Sequence, residues 1–234
     1  MKRFILLLLL LTASSLANAY TVGLTSPGKW GNPTLGTGAT ISYSFMPSGP
    51  ICDGGQICSS LDSFMPTGFV SEIERAFDAW SSVANLTFFN VADDGANLGW
   101  PTTSGDIRFG GHAFDGSGGV LAHGFFPPNN GFSAAGDIHF DSTDVWSIGG
   151  LTGFDIFWVA LHEIGHALGL GHEETETSVM GPFYNPLLNT LQADDIAGIQ
   201  YLYGPPAAVP VPAAIWLFFP ALLGLFGIRR KAIN

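Results

Sequence analysis

The residues best suited to chemistry lie in the segment 162–172, where two histidines are four residues apart. On an α-helix such residues share one face, so His162 and His166 can present their imidazole nitrogens to one zinc ion. Glu163 follows the first histidine, where it can accept a proton from a water molecule at the metal. A bare H-E-x-x-H pattern also occurs by chance in helices, so the interpretation depends on the residues that follow.

The residues beyond this predicted helix complete the pattern. Gly169 and Gly171 can adopt positive φ, which lets the chain leave the helix and bring His172 back as a third ligand. Met180 follows eight residues later. This longer pattern resembles that of the metzincins, a clan of zinc peptidases in which a methionine lies in a turn beneath three histidine ligands. The resemblance implies a zinc site with one open position.

Residues 1–19 have the pattern of a signal peptide. A basic start at Lys2 and Arg3 precedes a short apolar run and an A-x-A site that ends at Ala19. The alternative, a membrane anchor, is disfavoured because the run is too short for a hydrocarbon layer of roughly 30 Å. We therefore expect export and cleavage after Ala19, and the short stretch before Lys29 leaves no room for an inhibitory propeptide.

Residues 205–234 have the pattern of a sorting tail. A Val-Pro-Val-Pro sequence at 209–212 leads into the apolar stretch 215–228, which ends at three basic residues, 229–231. The tail resembles the PEP-CTERM signal of Gram-negative bacteria, although the namesake glutamate is absent. The resemblance implies recognition by export and sorting machinery, followed by release or cell-surface attachment. A permanent C-terminal membrane anchor is the alternative.

Residues 20–204 have a suitable length for one domain. Only three of the eight basic residues lie there, against all nineteen acidic ones, so this region has a net charge of −16. Such a charge argues against nucleic acid or anionic lipid as a partner and favours bound cations, calcium above all, although an acidic surface in water is the plain alternative. We expect a monomer.

The two cysteines, Cys52 and Cys58, lie in a glycine-rich loop. In an oxidising compartment they are expected to form a small disulfide. A zinc-binding role is disfavoured because no histidine is near them in sequence.

The periodicity of apolar residues predicts an α+β fold with a mixed, twisted sheet, a long helix, an active-site helix and a C-terminal helix. The predicted strands are 40–45, 86–90, 107–109, 119–126 and 137–140, and the predicted helices are 68–83, 153–170 and 191–203.

Two further segments, 114–123 and 136–146, resemble the matching stretches of matrixins, the matrix-metalloproteinase family. With the zinc motif and Met180, the similarity covers most of residues 29–204. It implies a structural zinc bound by His123 and His139. The loop before Asp115 is shorter than in matrixins, so His112 can replace one ligand and another is unaccounted for.

The same resemblance implies calcium sites and a substrate pocket. The implied ligands of a first calcium site are Asp115, Asp141 and Asp144 with the carbonyls of Gly116, Gly118 and Val120, and those of a second site are Asp106 and Asp137. The implied pocket residues are Leu121, Ala122, Trp158, Pro182, Phe183 and Tyr184. The bulk of Trp158 leads us to expect a shallow pocket.

One residue departs from the matrixin pattern. Glu173, directly after the third histidine, is typical of astacins, but the longer matching stretches 114–123 and 136–146 favour the matrixin resemblance.

These patterns together predict a secreted, matrixin-like zinc endopeptidase that acts on proteins or peptides. A surface-displayed metal-binding or matrix-structural protein without turnover is the alternative, since export signals alone fit both. Glu163 favours the enzyme, because a structural metal site needs no base.

Overall fold

The computed structural model describes residues 20–26, 28–127, 134–174 and 176–207. The predicted signal peptide and the apolar stretch of the sorting tail lie outside these residues. Within the described residues, no helix is both long enough and apolar enough to cross a membrane.

A five-stranded mixed sheet forms one layer of the domain, with the strand order β2-β1-β3-β5-β4. Neighbouring strands are parallel except β4, which runs antiparallel to β5 at the edge. The strands are β1 (Ala39–Phe45), β2 (Leu86–Asn90), β3 (Ile107–His112), β4 (Ala122–Gly124) and β5 (Ile138–Asp141), and a separate parallel pair is β6 (Trp146–Ser147) with β7 (Phe154–Asp155).

In the part of the chain that the structure describes, three α-helices accompany the sheet: α1 (Phe69–Val83), α2 (Ile156–Ala167) and α3 (Ala193–Tyr203). Helix α1 buries Ile73, Phe77 and Trp80 at helical spacing. The indole Nε1 of Trp80 donates a hydrogen bond of 3.0 Å to the carbonyl of Leu161, which ties α1 to α2. Every residue of α2 is buried, as expected for a helix enclosed by other elements. The predicted α+β class and mixed sheet are confirmed.

Two predicted boundaries differ from the structure for identifiable reasons. The strand predicted over 119–126 is only Ala122–Gly124, because the Val120 N–H donates to the Asp115 carboxylate and not to a strand. The active-site helix begins three residues later than predicted, because the Asp155 side chain accepts a hydrogen bond from the Phe157 N–H at 3.0 Å and caps the first turn.

The start of the described chain packs beneath the exit of α2. The Gly23 N–H donates to the carbonyl of Gly169 at 2.8 Å, and the Gly171 N–H donates to the carbonyl of Thr21 at 2.9 Å. The N-terminal segment therefore fixes the path that the chain takes between the helix and the third histidine.

Candidate active site

The exit from α2 brings His172 opposite the two helical histidines. Gly169 has φ +109, and a side chain there would be strained and would meet the carbonyl oxygen of Gly28. The prediction of positive φ at Gly171 is wrong. Gly171 is required for space, since an added Cβ would lie 3.0 Å from the Thr21 methyl carbon.

The three Nε2 atoms converge on one point. His172 Nε2 lies 3.1 Å from Nε2 of His162 and 3.1 Å from Nε2 of His166. Three nitrogens about 2.05 Å from a tetrahedral zinc would be about 3.3 Å apart, so the donor set fits zinc without rearrangement. The fit leaves the fourth ligand position to water or substrate.

Backbone carbonyls set the orientation of both helical imidazoles. Nδ1 of His162 lies 2.7 Å from the carbonyl of Val179, and Nδ1 of His166 lies 2.8 Å from the carbonyl of Leu170. A carbonyl oxygen only accepts, so each Nδ1 carries the proton and each Nε2 has a free lone pair. Burial lowers the pKa of His162 to about 3 and that of His166 to about 4, which keeps both rings neutral.

Glu163 lies beside the converging nitrogens at the base of a cleft. Burial raises the pKa of its carboxyl to about 8, and a hydrogen bond from the Gly124 N–H opposes this shift. Its Oε2 has no hydrogen-bond partner among the described residues. An added Cβ at Gly124 would lie 3.2 Å from that oxygen, so glycine leaves space beside the carboxylate.

A turn containing Met180 lies beneath the histidines. The N–H groups of Val179 and Met180 donate to the buried carboxylate of Asp195 at 3.0 and 3.1 Å. An added Cβ on Gly165 would lie 3.1 Å from the Met180 Cε, so the absence of a side chain on α2 lets the methionine approach.

A cleft of about 800 Å³ runs between β4 and α2 across this site. Trp158 stacks on His162 with ring centroids 5.5 Å apart, and Tyr184 contacts the same indole edge to face at 4.9 Å. All six predicted pocket residues line the cleft: Leu121, Ala122, Trp158, Pro182, Phe183 and Tyr184.

A second histidine cluster lies at the far side of β5. His123 Nε2 is 3.0 Å from His139 Nδ1, and the ring centroid of His112 lies 5.3 Å from that of His139. His112 Nε2 is buried without a hydrogen-bond partner. Burial lowers the pKa of His123 to about 4 and that of His139 well below its ordinary value. Neutral rings of this kind fit a zinc ion.

The predicted first calcium site contains partly satisfied carboxylates. Oδ1 of Asp144 accepts a hydrogen bond from Gly118 N, and Oδ1 of Asp141 accepts one from Thr143 N. The Oδ2 atoms of Asp141 and Asp144 are buried without a hydrogen-bond partner among the described residues. Buried carboxylate oxygens of this kind fit a hard cation. Asp115 lies on the neighbouring loop that contains Gly118 and Val120, and it accepts a hydrogen bond from the Val120 N–H.

The residues of the predicted second calcium site engage different groups. Asp106 accepts hydrogen bonds from the backbone and hydroxyl of Ser42. Asp137 is buried, and its Oδ2 lies 3.6 Å from Nη1 of Arg108. The Arg108 guanidinium also binds Asp93 with two hydrogen bonds of 2.9 Å. The cation that faces Asp137 in the structure is therefore an arginine.

The predicted disulfide is present between Cys52 and Cys58, whose Cα atoms are 5.2 Å apart. Sequence distance gave no reason to connect either cysteine with a histidine. In the fold, Cys52 Sγ lies 3.5 Å from Nε2 of His139.

The sequence reasoning missed three supporting groups: the Gly124 N–H, the Val179 carbonyl and Asp195. A sequence does not show which contacts the backbone N–H and carbonyl groups make. Asp195, by contrast, is the third residue of α3, where its side chain also accepts from the Gln192 N–H in a capping box. The capping box indicates where α3 begins, but it does not reveal that Asp195 also contacts the turn containing Met180.

The comparisons with known proteins agree with this geometry. The family model described as Matrixin matches residues 57–204. Matrix metalloproteinase-16 of Rattus norvegicus is 44% identical over 151 residues, which are 60% of this chain and 24% of that protein. The hatching enzyme of Paracentrotus lividus is 38% identical over 202 residues, with 82% and 32% covered. Karilysin of Tannerella forsythia is 37% identical over 147 residues, with 61% and 30% covered.

The chain thus spans between a quarter and a third of the length of these relatives. The matched part includes the three histidines, Glu163 and the turn with Met180.

Proposed function

The chain belongs to the matrixin family, and from this premise we propose that it is a zinc-dependent endopeptidase that hydrolyses peptide bonds in proteins. The observation that carries the proposal is the open face of the three converging Nε2 atoms beside Glu163, at the base of a cleft bordered by an edge strand. A structural zinc site would be closed by a fourth protein ligand.

Glu163 is the proposed general base. His162, His166 and His172 would hold a zinc ion, which would supply a water molecule of lowered pKa and polarise the substrate carbonyl. The Glu163 carboxylate then accepts the proton of that water and delivers it to the leaving amine nitrogen. Its buried position keeps bulk water from competing for the proton, and the Gly124 N–H orients it.

The substrate is proposed to lie extended along β4. Among the described residues β4 is the last strand of the sheet, and its outer edge, apart from the Gly124 N–H that donates to Glu163, is proposed to pair with a peptide strand. Trp158 and Tyr184 would then contact the side chain that follows the scissile bond, and the stacking of Trp158 on His162 limits the depth available to it.

The side chains available as ligands indicate which further metal ions the protein is proposed to bind. Calcium is proposed at Asp115, Asp141 and Asp144, because two of their buried oxygens have no partner among the described residues. Calcium at Asp106 and Asp137 is the less supported proposal, since Arg108 already faces Asp137. A second zinc is proposed at the cluster of His112, His123 and His139.

Export is proposed from the pattern of residues 1–19, and sorting to the cell surface of a Gram-negative bacterium from the pattern of residues 205–234. The acidic domain is proposed to act as a monomer on protein or peptide substrates, without nucleic acid.

The deciding experiment incubates the purified protein with a general protein substrate, with and without a zinc chelator. Cleavage should require zinc. Glu163→Gln should lower kcat by about 10²- to 10⁴-fold, because general acid–base catalysis contributes that much, while the zinc content stays unchanged. Glu174→Gln, an exposed glutamate with the same change in charge, is the control.

Absence of chelator-sensitive cleavage by the wild-type protein would contradict the proposal. It would favour a surface-displayed metal-binding protein instead.

A further inference from the structure

Glu173 is a buried carboxylate that the proposed mechanism does not use. It directly follows His172, at the position where the sequence departs from the matrixin pattern. Glu173 is 3% exposed, whereas the next residue, Glu174, is exposed. Because burying a carboxylate is unfavourable unless it is hydrogen-bonded, the contacts of this side chain indicate what it does.

Two hydrogen bonds connect Glu173 to the turn that contains Met180. The hydroxyl of Ser178 donates to Oε2 of Glu173 at 2.8 Å, and the N–H of Glu173 donates to the carbonyl of Met180 at 3.0 Å. Ser178 is itself buried, so bulk water does not compete for its bond with the carboxylate. Glu173 thus holds the residues on both sides of Val179.

We propose that Glu173 is a positioning residue that fixes His172 relative to His162 through Val179. The carbonyl of Val179 lies 2.7 Å from Nδ1 of His162, and the Nε2 atoms of His162 and His172 are 3.1 Å apart. The contacts therefore form a closed ring that passes along the chain from His172 to Glu173, through the turn to His162, and back across the metal position. The proposal rests on the zinc site of the proposed function.

The contacts of Glu173 differ in effect from those of Asp195, which binds the same turn. Asp195 accepts hydrogen bonds from the N–H groups of Val179 and Met180, and so attaches the turn to α3. That attachment supports the orientation of His162. The contacts of Glu173 link the turn to His172, because the two residues are adjacent in the chain.

Removal of the Glu173 side chain should weaken zinc binding at the three histidines. Zinc needs all three imidazoles in one tetrahedral arrangement, and loss of outer partners of zinc ligands costs about 10- to 100-fold in metal affinity. Glu173→Ala should have an effect of that size. Ser178→Ala should weaken zinc by about 10-fold. Glu173→Gln retains an acceptor oxygen for the Ser178 hydroxyl and should therefore weaken zinc less than Glu173→Ala does.

The test is a chelator titration of the purified, zinc-loaded full chain, followed by nitrogen NMR of the histidine rings. The resonances of His162 and His172 report zinc at the proposed active site, and those of His123 and His139 report the second histidine cluster. In the zinc-bound state, Ser178→Ala should shift the ring resonances of His172. Those of His123 and His139 should keep their wild-type positions.

Ser44→Ala is the matched control for a purely structural effect. The buried hydroxyl of Ser44 donates to the carboxylate of Asp93 at 2.7 Å, so this variant loses a hydrogen bond of the same kind. It should lower the temperature of thermal unfolding and leave the zinc affinity and the His172 resonances unchanged.

The same outcome in both Glu173→Ala and Ser178→Ala would overturn the proposal, because it would reduce their hydrogen bond to a contribution to stability alone. The proposed peptidase activity would then stand. Wild-type protein whose His172 resonances do not respond to zinc would instead contradict the proposed function, and this inference with it.

Discussion

The Nδ1 atom of His162 lies 2.7 Å from the carbonyl oxygen of Val179, in the turn directly before Met180. The same turn donates two backbone N–H groups to Asp195 in α3. The orientation of His162, a proposed metal ligand on α2, is therefore set by a carboxylate on α3 through a single peptide segment.

Asp195→Asn should weaken zinc binding by about 10-fold or more, the size of effect seen when outer partners of zinc ligands are lost. The amide retains one acceptor oxygen, so the turn loses part of its support and the free energy of unfolding should fall by about 1–3 kcal/mol. Zinc titration and thermal unfolding measure the two effects. Asp194→Asn makes the same change on the adjacent residue and should leave both quantities near wild type.

Gly165→Ala should lower both stability and zinc affinity, because the added methyl group would displace the Met180 side chain. Overpacking of this kind costs about 1–3 kcal/mol in the free energy of unfolding. A double-mutant cycle with Met180→Ala checks the mechanism. Strictly additive effects would show that the two residues are not coupled and would refute this explanation.

If the proposed peptidase activity holds, Trp158→Leu should widen its preference toward larger side chains after the scissile bond. The indole fills space between His162 and Tyr184, and leucine leaves much of that space empty. Peptide-library profiling gives the measurement. Trp100→Leu, at an exposed tryptophan that does not line the cleft, is the control. The idea fails if the two variants have the same profile.

The zinc-free protein should lose stability as the pH falls below 6.5. Burial holds the pKa of His123 and His166 at about 4 and that of His162 at about 3, whereas the unfolded chain titrates near 6.5. The unfolded histidines bind more protons across this window, so their contribution to stability is full above pH 6.5 and is lost toward pH 3–4. Together they outweigh the opposing contribution of Glu163, whose pKa burial raises to about 8 and which gains stability as it is protonated.

Each such histidine should contribute a loss of about 1.4 kcal/mol per pH unit. Thermal unfolding of chelated protein between pH 7.5 and pH 4.5 would measure the decline. His123→Gln removes one titrating group and should give a shallower slope. A flat profile in the wild-type protein would contradict the expected role of buried neutral histidines.

Local patterns predicted most of the helices and strands. The predicted range of β2 is the observed one, and α1 begins one residue later than predicted, because apolar periodicity acts within a few residues. The short β4 could not be foreseen, since its start is decided by the hydrogen bond between Val120 and Asp115.

The functional residues also divide into those that local sequence patterns predict and those that only the fold brings together. The three histidines proposed as zinc ligands have fixed spacings along 162–172, so the sequence alone predicts that they lie together. The approach of Cys52 to His139 joins residues 87 positions apart. It depends on the backbone hydrogen bonds between Ser59 and Gly111, which attach residues 50–58 to β3 and which sequence distance does not reveal.

The pairing of residues 21–23 with residues 169–171 joins the beginning of the domain to its metal-binding exit loop. Asp195, still later in the chain, also supports the site, because it accepts a hydrogen bond from the Val179 N–H. Contacts of such high sequence separation carry a large loop-closure entropy cost before they stabilise the fold. A chain synthesised from its N-terminus can therefore complete the three-histidine site only once nearly the whole domain has emerged.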